Sequence, residues 1–523
     1  MPTTRSRKRA RARFPTVIQK PRGVIHPRVQ QVGPEHFGIV SVDCAKARFK
    51  WMFCDFYGNV LVPPTEVAHN RVELAAAVEQ LRRAQAEHAV RDLLVAVERT
   101  GRYHHVPRNA FAQACADVRT VHPFTTKQFR QPSDPDIKTD DTDLAAIHRA
   151  AVNGFALAEA AALPQYRELQ LAIRHRRDLV YKISALCCQI REHLDAAFPG
   201  YAACFANFWD SEVALLLVRH FASAEAMLQT GPAGLANWLR QQHVRFQERT
   251  LHTVLAWAQR AAPGDIAAQR HHRIALALDD DRVHKTQEIQ ALERDIAAQL
   301  VRTPYVLLLS FPGINVVSAS DFAGEMGPIE DYATGKAITG RAGLFPCRYQ
   351  SDQLDRADGP LVRRANRALR AAILGIADNL IVCNRYFGQL TAGWRAQGKD
   401  PRVSHVRVAC RFCRIAFQIV AGRQVFRHPA IQQRHYILDK LNVFHREHHT
   451  PLDQTMPDLL AAIEQLPRSV HAQEARPLQE ELDKIKAGRR RGPQLLGDIL
   501  PIVLARLGFV GVQSTESGEQ HPR

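Results

Sequence analysis

Residues 37–143 carry the pattern that most restricts the fold: three short apolar runs in close succession, then two more that alternate with helical stretches. The runs at 37–43, 49–55 and 60–62 have strand length, and Tyr57, Gly58 and Asn59 supply a turn between the second and third. Three antiparallel strands are therefore predicted. A helical periodicity over 72–81 leads to a buried strand at 93–97, and a helix around 107–116 leads to a further strand at 118–121. Pro132, Ser133, Asp134 and Pro135 read as a polar loop, and Thr139 is a good N-cap for a helix opening behind it. The predicted order is βββαβαβα, which makes the first part of the chain an α/β domain.

At 523 residues the chain exceeds what one hydrophobic core organises, so two or three domains are expected. Its 70 Lys plus Arg against 52 Asp plus Glu leave a formal charge of +18. Such a surplus draws a protein toward polyanions through counterion release, with nucleic acid as the leading partner. An anionic membrane is the competing partner, but the longest apolar runs, at 213–218 and 305–311, fall well short of the roughly 18 residues that a span needs. No membrane partner is expected. The first thirty residues hold nine Arg and Lys and no acid, and no apolar secretory stretch follows, so a cytoplasmic protein with a basic arm is expected. A second basic cluster runs through Lys484, Lys486, Arg489, Arg490 and Arg491.

Two other chemistries are excluded by residue type. Cys410 and Cys413 have the gap of half a zinc site, yet no second Cys pair answers them, and His445, His448 and His449 lack the usual spacing. Gly335 and Lys336 look like part of a P-loop, but Ala337 replaces the required Ser or Thr and Glu330 stands at the first Gly position. The middle of the chain is helical. Ile173, Arg176, Val180, Ile183, Cys187, Ile190 and Leu194 recur at alternating steps of three and four, as in a coiled-coil seam. The seam fits an antiparallel pair within one subunit, with residues 289–300 as the partner helix, or a dimer. Further helices are expected over 212–242, 266–278 and 403–420.

Four carboxylates fall at the ends of these elements. Asp43 closes the first strand and Glu98 the fourth, while Asp140 and Asp143 stand three apart in a first helical turn and share a face. Each alone reads as a solvated acid or a cap. Held together, the four would raise one another's pKa unless cations neutralised them, and hard oxygen ligands suit Mg²⁺ or Mn²⁺. Two such ions activate one oxygen and stabilise another in phosphate chemistry.

The strand-helix order is that of the RNase H-like fold. The residues 38–46 with Asp43, Ala45 and Lys46, then Glu98, Thr100, Gly101 and Tyr103, then Lys138, Thr139, Asp140 and Asp143, resemble the DEDD transposases of bridge-RNA-guided insertion sequences. Their catalytic domain looks like the RuvC Holliday-junction resolvases. Leu144 departs from the usual Ala of that pattern. Downstream, Phe311, Pro312, Gly313 and Ile314 resemble a helix-hairpin-helix turn, whose N–H groups can hold a phosphate. Ala342, Gly343, Leu344 and Pro346, then Gln350 and Ser351, then Asn366, Leu369 and Arg370 resemble the C-terminal transposase domain of the same family, with Asp352 where Gly is usual.

The resemblance, which covers roughly 37–384, implies an RNase H-like (RuvC-like) α/β domain over 36–155, and the basic composition ahead of it is read as a disordered arm at 1–35. A helical or coiled-coil spacer at 156–303, a mainly α transposase domain at 304–425 and a helical, polar extension at 426–523 follow. It implies magnesium-dependent DNA strand exchange between donor and target through a covalent phosphoserine, a structured guide RNA, and a homo-oligomer, dimer or tetramer. Ser351 is the matching nucleophile, with Ser310, Ser318 and Ser320 as the fallback candidates. Lys46, Lys138, Gly313, Arg341, Arg348, Arg363, Arg364, Arg367 and Arg370 are candidate phosphate contacts. Two alternatives remain open: a hydrolytic Holliday-junction-type nuclease with no essential serine, and a non-catalytic nucleic-acid-binding protein.

Overall fold

The computed structural model describes residues 21–159, 163–351, 354–356, 359–431, 436–471 and 473–474. The chain divides into two compact units, 1–161 and 162–523. The first runs α1 (His26–Val32), β1 (Phe37–Cys44), β2 (Arg48–Asp55), β3 (Val60–Ala68), α2 (Arg71–Glu87), β4 (Asp92–Glu98), α3 (His105–Phe111), β5 (Val118–Val121), α4 (Pro123–Arg130), α5 (Asp140–Val152) and β6 (Leu157–Ala158). Its six strands form one mixed sheet in the order β3-β2-β1-β4-β5-β6, with β1 antiparallel to β2 and parallel to β4. This is consistent with the RNase H-like expectation.

The sheet is buried on both faces, and strand parity assigns each residue to one of them. Val40 and Val42 of β1 and Val95 and Val97 of β4 pack with Ala77, Leu81 and Phe111 from α2 and α3. Phe37, Ile39, Leu94 and Ala96 pack on the opposite face with Ile25 just before α1, Val29 of α1 and Ile147, Ala150 and Ala151 of α5. Counting on in twos, Asp43 and Glu98 both fall on the α5 side.

Three expectations for this unit change. The arm expected over 1–35 is folded from residue 21 where it is described: Ile25 is fully buried, and Arg28 donates from Nε and Nη2 to Asp92 (2.8 and 2.6 Å) and also meets Asp117. Residues 1–20, with most of its basic side chains, lie outside the described residues. The third strand continues past Pro63 and Pro64, which an edge strand tolerates; the β2–β3 register shifts around them. The polar segment before Thr139 contains α4, whose start is marked by His122 accepting from the Phe124 N–H and by Pro123 in the first turn. As expected, Thr139 caps α5, in a reciprocal pair with Thr142.

The second unit is mainly helical: α6 (Pro164–Ala197), α7 (Glu212–His220), α8 (Ala224–Gln241), α9 (Glu248–Ala258), α10 (Ala268–Leu300), α11 (Val316–Met326), α12 (Gly335–Ala342), the hairpin β7 (Tyr349–Ser351) and β8 (Leu354–Arg356), α13 (Arg367–Cys383), α14 (Arg385–Ala396), α15 (Pro401–Ala421), α16 (Ile437–Glu447) and α17 (Leu452–Gln465). The seam of α6 is answered within the chain by α10, antiparallel: Arg176 meets Glu293 (2.5 Å) near one end and His193 meets His271 (2.8 Å) near the other. The expected helices 266–278 and 289–300 are one helix of 33 residues. The acidic stretch between them contains no Gly or Pro, and Arg219 and Arg282 neutralise the buried Asp279 within it.

Two cores organise this unit. One joins the far half of the hairpin to α7, α8 and α9 through Ile190, Leu194, Leu217, Leu239 and Val254. The other joins the near half to the rest, from Leu169 and Ile296 through Phe322, Ile373 and Phe412 to Leu441 and Leu459. The helices α16 and α17 therefore belong to the same core as α11 to α15, and residue 425 marks no core boundary. The basic cluster at 484–491 lies outside the described residues. No helix among the described residues is long and apolar enough to cross a membrane.

Candidate active site

Parity and packing bring the four predicted carboxylates to one edge of the first unit. Val42 pairs with Val97 in the parallel β1–β4 register, so Asp43 and Glu98 leave adjacent strands side by side. α5 packs across that face and adds Asp140 and Asp143 from its first turn. The electrostatics show the convergence. Burial raises the pKa of Asp43, the charges of Asp143 and Asp140 raise it further, and the Cys44 N–H and Lys138 oppose them. Glu98 is likewise pushed up, first by burial, with Asp43 and Asp143 adding to it and the Thr100 hydroxyl (3.4 Å) opposing. Asp140 is exposed, whereas Asp143 is buried.

Three cations edit this cluster. Lys138, predicted as a phosphate contact, is exposed and lies close enough to Asp43 to stabilise its charge. Arg130 at the end of α4 pairs with Asp143, both side chains almost fully buried. Lys50 stands directly opposite Asp43 in the antiparallel β1–β2 register, on the same face, and pairs with Asp141 (2.5 Å). Sequence reasoning missed Arg130 and Lys50. Arg130 ends α4, a helix that the sequence reading does not assign although the His122–Pro123 start marks it; Lys50 becomes visible only with the strand register. Lys46 is exposed on the turn after β1.

An all-carboxylate donor set without His or Cys is right in kind for a hard divalent cation, and the raised proton affinity of Asp43 and Glu98 is what neighbouring acids produce before a cation neutralises them. Among the described residues, however, no three such groups stand at metal-holding spacing, and Asp143 is engaged by Arg130.

The remaining predicted residues lie in the second unit. Ser351 ends β7, exposed, with its backbone paired to Leu354. The other three serines hold structure: Ser310 is buried, donates to the Leu307 carbonyl and accepts from the Phe426 N–H, Ser318 pairs with Asn315 to cap α11, and buried Ser320 donates to the Val316 carbonyl. The predicted arginines divide in two. Arg341 donates to the Met326 carbonyl (3.1 Å) and meets the Tyr332 hydroxyl, and Arg370 donates to the carbonyls of Ala342 (2.7 Å) and Val362, so both brace the fold. Arg348 forms an exposed two-pronged pair with Asp355. Arg363, Arg364 and Arg367 are exposed around the start of α13.

Gly313 has φ +89°, and a Cβ there would stand 2.9 Å from the Asn379 carbonyl oxygen, so this turn is a close approach to α13. Lys440 donates to the carbonyls of Phe311 (2.6 Å) and Ile314 (2.9 Å). Two of the turn's N–H groups are already engaged, Ile314 on Phe311 and Asn315 on Ser318. The Gly313→Ala variant is expected to lose about 1–3 kcal/mol of stability from the strained φ and the crowded Cβ, measured by urea denaturation; an unchanged midpoint would remove this account of the turn.

Two protein-family models match the chain. One, described as a transposase and of the DEDD type in the IS110 group, covers residues 40–199. The other, described as the transposase of the IS116/IS110/IS902 family, covers residues 305–392. No curated protein matches the chain. The first match takes in all four carboxylates, and the second takes in Gly313, Ser351 and the arginines from Arg341 to Arg370.

Proposed function

We propose that this chain, an IS110-family transposase by both of its matched regions, recombines the DNA of an insertion sequence with four carboxylates and one serine. The observation that carries the proposal is the shared face of Asp43, Glu98, Asp140 and Asp143, where burial and like charge raise the proton affinity of the first two. The DEDD transposase family typically uses divalent metals. In this reading the four acids would hold Mg²⁺ or Mn²⁺, and Arg130, which pairs with one oxygen of Asp143, would compete with a cation for that carboxylate. A bound cation supplies polarisation of the phosphoryl oxygen and stabilisation of the departing one.

The serine accounts for rejoining. The Ser351 hydroxyl gives up its proton and its oxygen attacks phosphorus; the bond from phosphorus to a deoxyribose oxygen breaks, and that oxygen takes a proton. A hydroxyl of the incoming strand then attacks the phosphoserine, Ser351 leaves with a proton, and the backbone is whole again. Because the phosphodiester energy is kept in the serine ester, no external energy source is needed. The reading requires Ser351 and the carboxylates to meet on one phosphate, and it has them do so across protomers of a homo-oligomer. It also implies a structured guide RNA, with Lys46, Lys138, Arg363, Arg364 and Arg367 as phosphate contacts on donor and target DNA.

Trapping on a nicked substrate decides the chemistry. A covalent protein–DNA adduct is expected with the wild-type protein and is expected to vanish in Ser351→Ala; full cleavage by that variant would leave a hydrolytic nuclease. Sequencing the RNA that co-purifies tests the guide, which is expected to be one discrete structured species.

A further inference from the structure

Apart from the residues already described, one surface of the second unit carries a run of arginines that no ion pair among the described residues balances, its nearest acids being the N-cap Asp400 and Asp378, which meets His405. The inner face of α15 is core: Val408, Phe412, Cys413, Ala416 and Ile419 are buried. Its outer face presents Arg407, Arg411 and Arg414, all exposed, at spacings of four and three residues. Neither α14 nor α15 contains an acidic residue. Among the described residues none of Arg385, Arg395, Arg402, Arg407, Arg411 and Arg414 is in an ion pair, so the charge of this face is not neutralised locally. A face evolved for solubility alone mixes the two signs.

The arginines are also held. The Arg407 guanidinium lies over the Trp394 ring at 5.7 Å and that of Arg411 over the Tyr386 ring at 5.3 Å. Tyr386 is backed in turn by His428, with ring centroids 4.0 Å apart. Rings on α14 thus fix the planes of two guanidinium groups on α15. Stacking uses the face of a guanidinium and leaves its N–H edges available, the arrangement suited to the fork-like recognition of phosphate. At 1.5 Å of rise per residue, the stripe from Arg407 to Arg414 is about 10 Å long, about three nucleotides of one strand along a duplex axis.

We propose that this arginine stripe, braced by the aromatic rings of α14, is a track for the phosphate backbone of DNA. It rests on the reading of the chain as a DNA recombinase and extends it to a helix outside both matched regions. The interaction is independent of sequence, since no part of the stripe is shaped to read a base edge, and its role is to hold and orient the duplex.

The test is the salt dependence of binding to a fluorescein-labelled DNA duplex of arbitrary sequence, followed by anisotropy. The exposed triple variant Arg407→Gln, Arg411→Gln, Arg414→Gln is expected to flatten the slope of log affinity against log salt by about 2–3, close to one for each phosphate that is no longer neutralised. Lysine at the same three positions is expected to keep the slope and to weaken binding. Trp394→Leu, which leaves every charge in place, is expected to weaken binding by about threefold with little change in slope. An unchanged slope in the glutamine variant overturns the track, as does a loss confined to an RNA duplex of the same sequence. Cleavage that survives removal of Asp43 and Asp140 would instead overturn the recombinase reading while leaving a flattened slope, and so the track, standing.

Discussion

Replacing Asp43 and Asp140 together by alanine is expected to lower strand cleavage by at least about 10³-fold, equivalent to about 4 kcal/mol of transition-state stabilisation, with duplex binding retained. Asp43 stands near the end of β1 and Asp140 is exposed in the first turn of α5, so neither fills the core and the loss is one of chemistry. A gel assay of single-turnover cleavage in magnesium reads it, and cleavage at the wild-type rate would remove the metal hypothesis altogether. A stability measurement gives an independent check of opposite sign. In the folded chain the Asp43 carboxyl binds its proton more tightly than in the unfolded one, because of burial and the charges of Asp143 and Asp140. Stability from such a group is fully present below the unfolded value and is lost as pH rises through the raised folded value. At neutral pH the ionised Asp43 therefore destabilises the fold, and Asp43→Asn is expected to melt higher than wild type without divalent cations. A residue that weakens its own fold is what selection for chemistry retains.

How much of this site could be read from the chain follows from what each signal depends on. Asp43 and Glu98 end apolar runs of strand length, and Thr139 opens a helix with its own cap, so the elements bearing the acids were visible locally. That Asp43 and Glu98 share a face was not, because the face is fixed by which of Phe37 or Val40 meets α5, and that is set by packing. Arg130 and Lys50 were invisible because a basic residue reads as solvated until its partner is known, whether it stands in a polar stretch or, like Lys50, within a strand. The errors of extent share one cause. Residues that usually end an element are tolerated where the surroundings allow it, as Pro63 and Pro64 are on an edge strand and Asp279 is beneath two arginines.

The transposase motif shows the limit from the other side. Asn366 belongs to the pattern by which the C-terminal domain resembles its family, and such a residue invites a catalytic role. In the fold it accepts from the Leu369 N–H to cap α13 and donates to Glu325 (3.1 Å). Its motif position is accounted for by a cap and a buried carboxylate. Arg370, three residues into the same helix, braces two main-chain carbonyls. A family pattern therefore mixes residues that meet the substrate with residues that hold those in place, and Ser351, exposed on a hairpin, belongs by its surroundings to neither group until an adduct is sought.

The Arg174→Met variant is expected to lose about 3–5 kcal/mol of stability, the penalty for stranding a buried charge. Glu325 of α11 has no exposed side-chain surface; Arg174 of α6 grips both its oxygens at 2.8 and 2.9 Å, and Asn366 adds a third hydrogen bond. One turn on, Arg177 meets Asp321 (3.5 Å), so two arginines three apart on α6 match two acids four apart on α11 and fix how the long hairpin meets the core. Burial alone would raise the pKa of Glu325, but the hydrogen bonds from Arg174 and Asn366 overcome it and hold the carboxyl below its usual range. In the wild type its contribution is present above the unfolded value and is lost as pH falls through the lowered folded value. Without Arg174, burial prevails, the folded value rises above the unfolded one, and the sign reverses: the variant regains stability toward acid. Urea denaturation of both proteins at about pH 5 and about pH 8 reads this, since the deficit is expected to shrink at the lower pH. Adding Glu325→Gln to the variant removes the stranded charge and is expected to restore most of the loss; if the double variant is as unstable as Arg174→Met alone, the deficit comes from lost packing of the Arg174 stem and the ion pair is not what secures the hairpin.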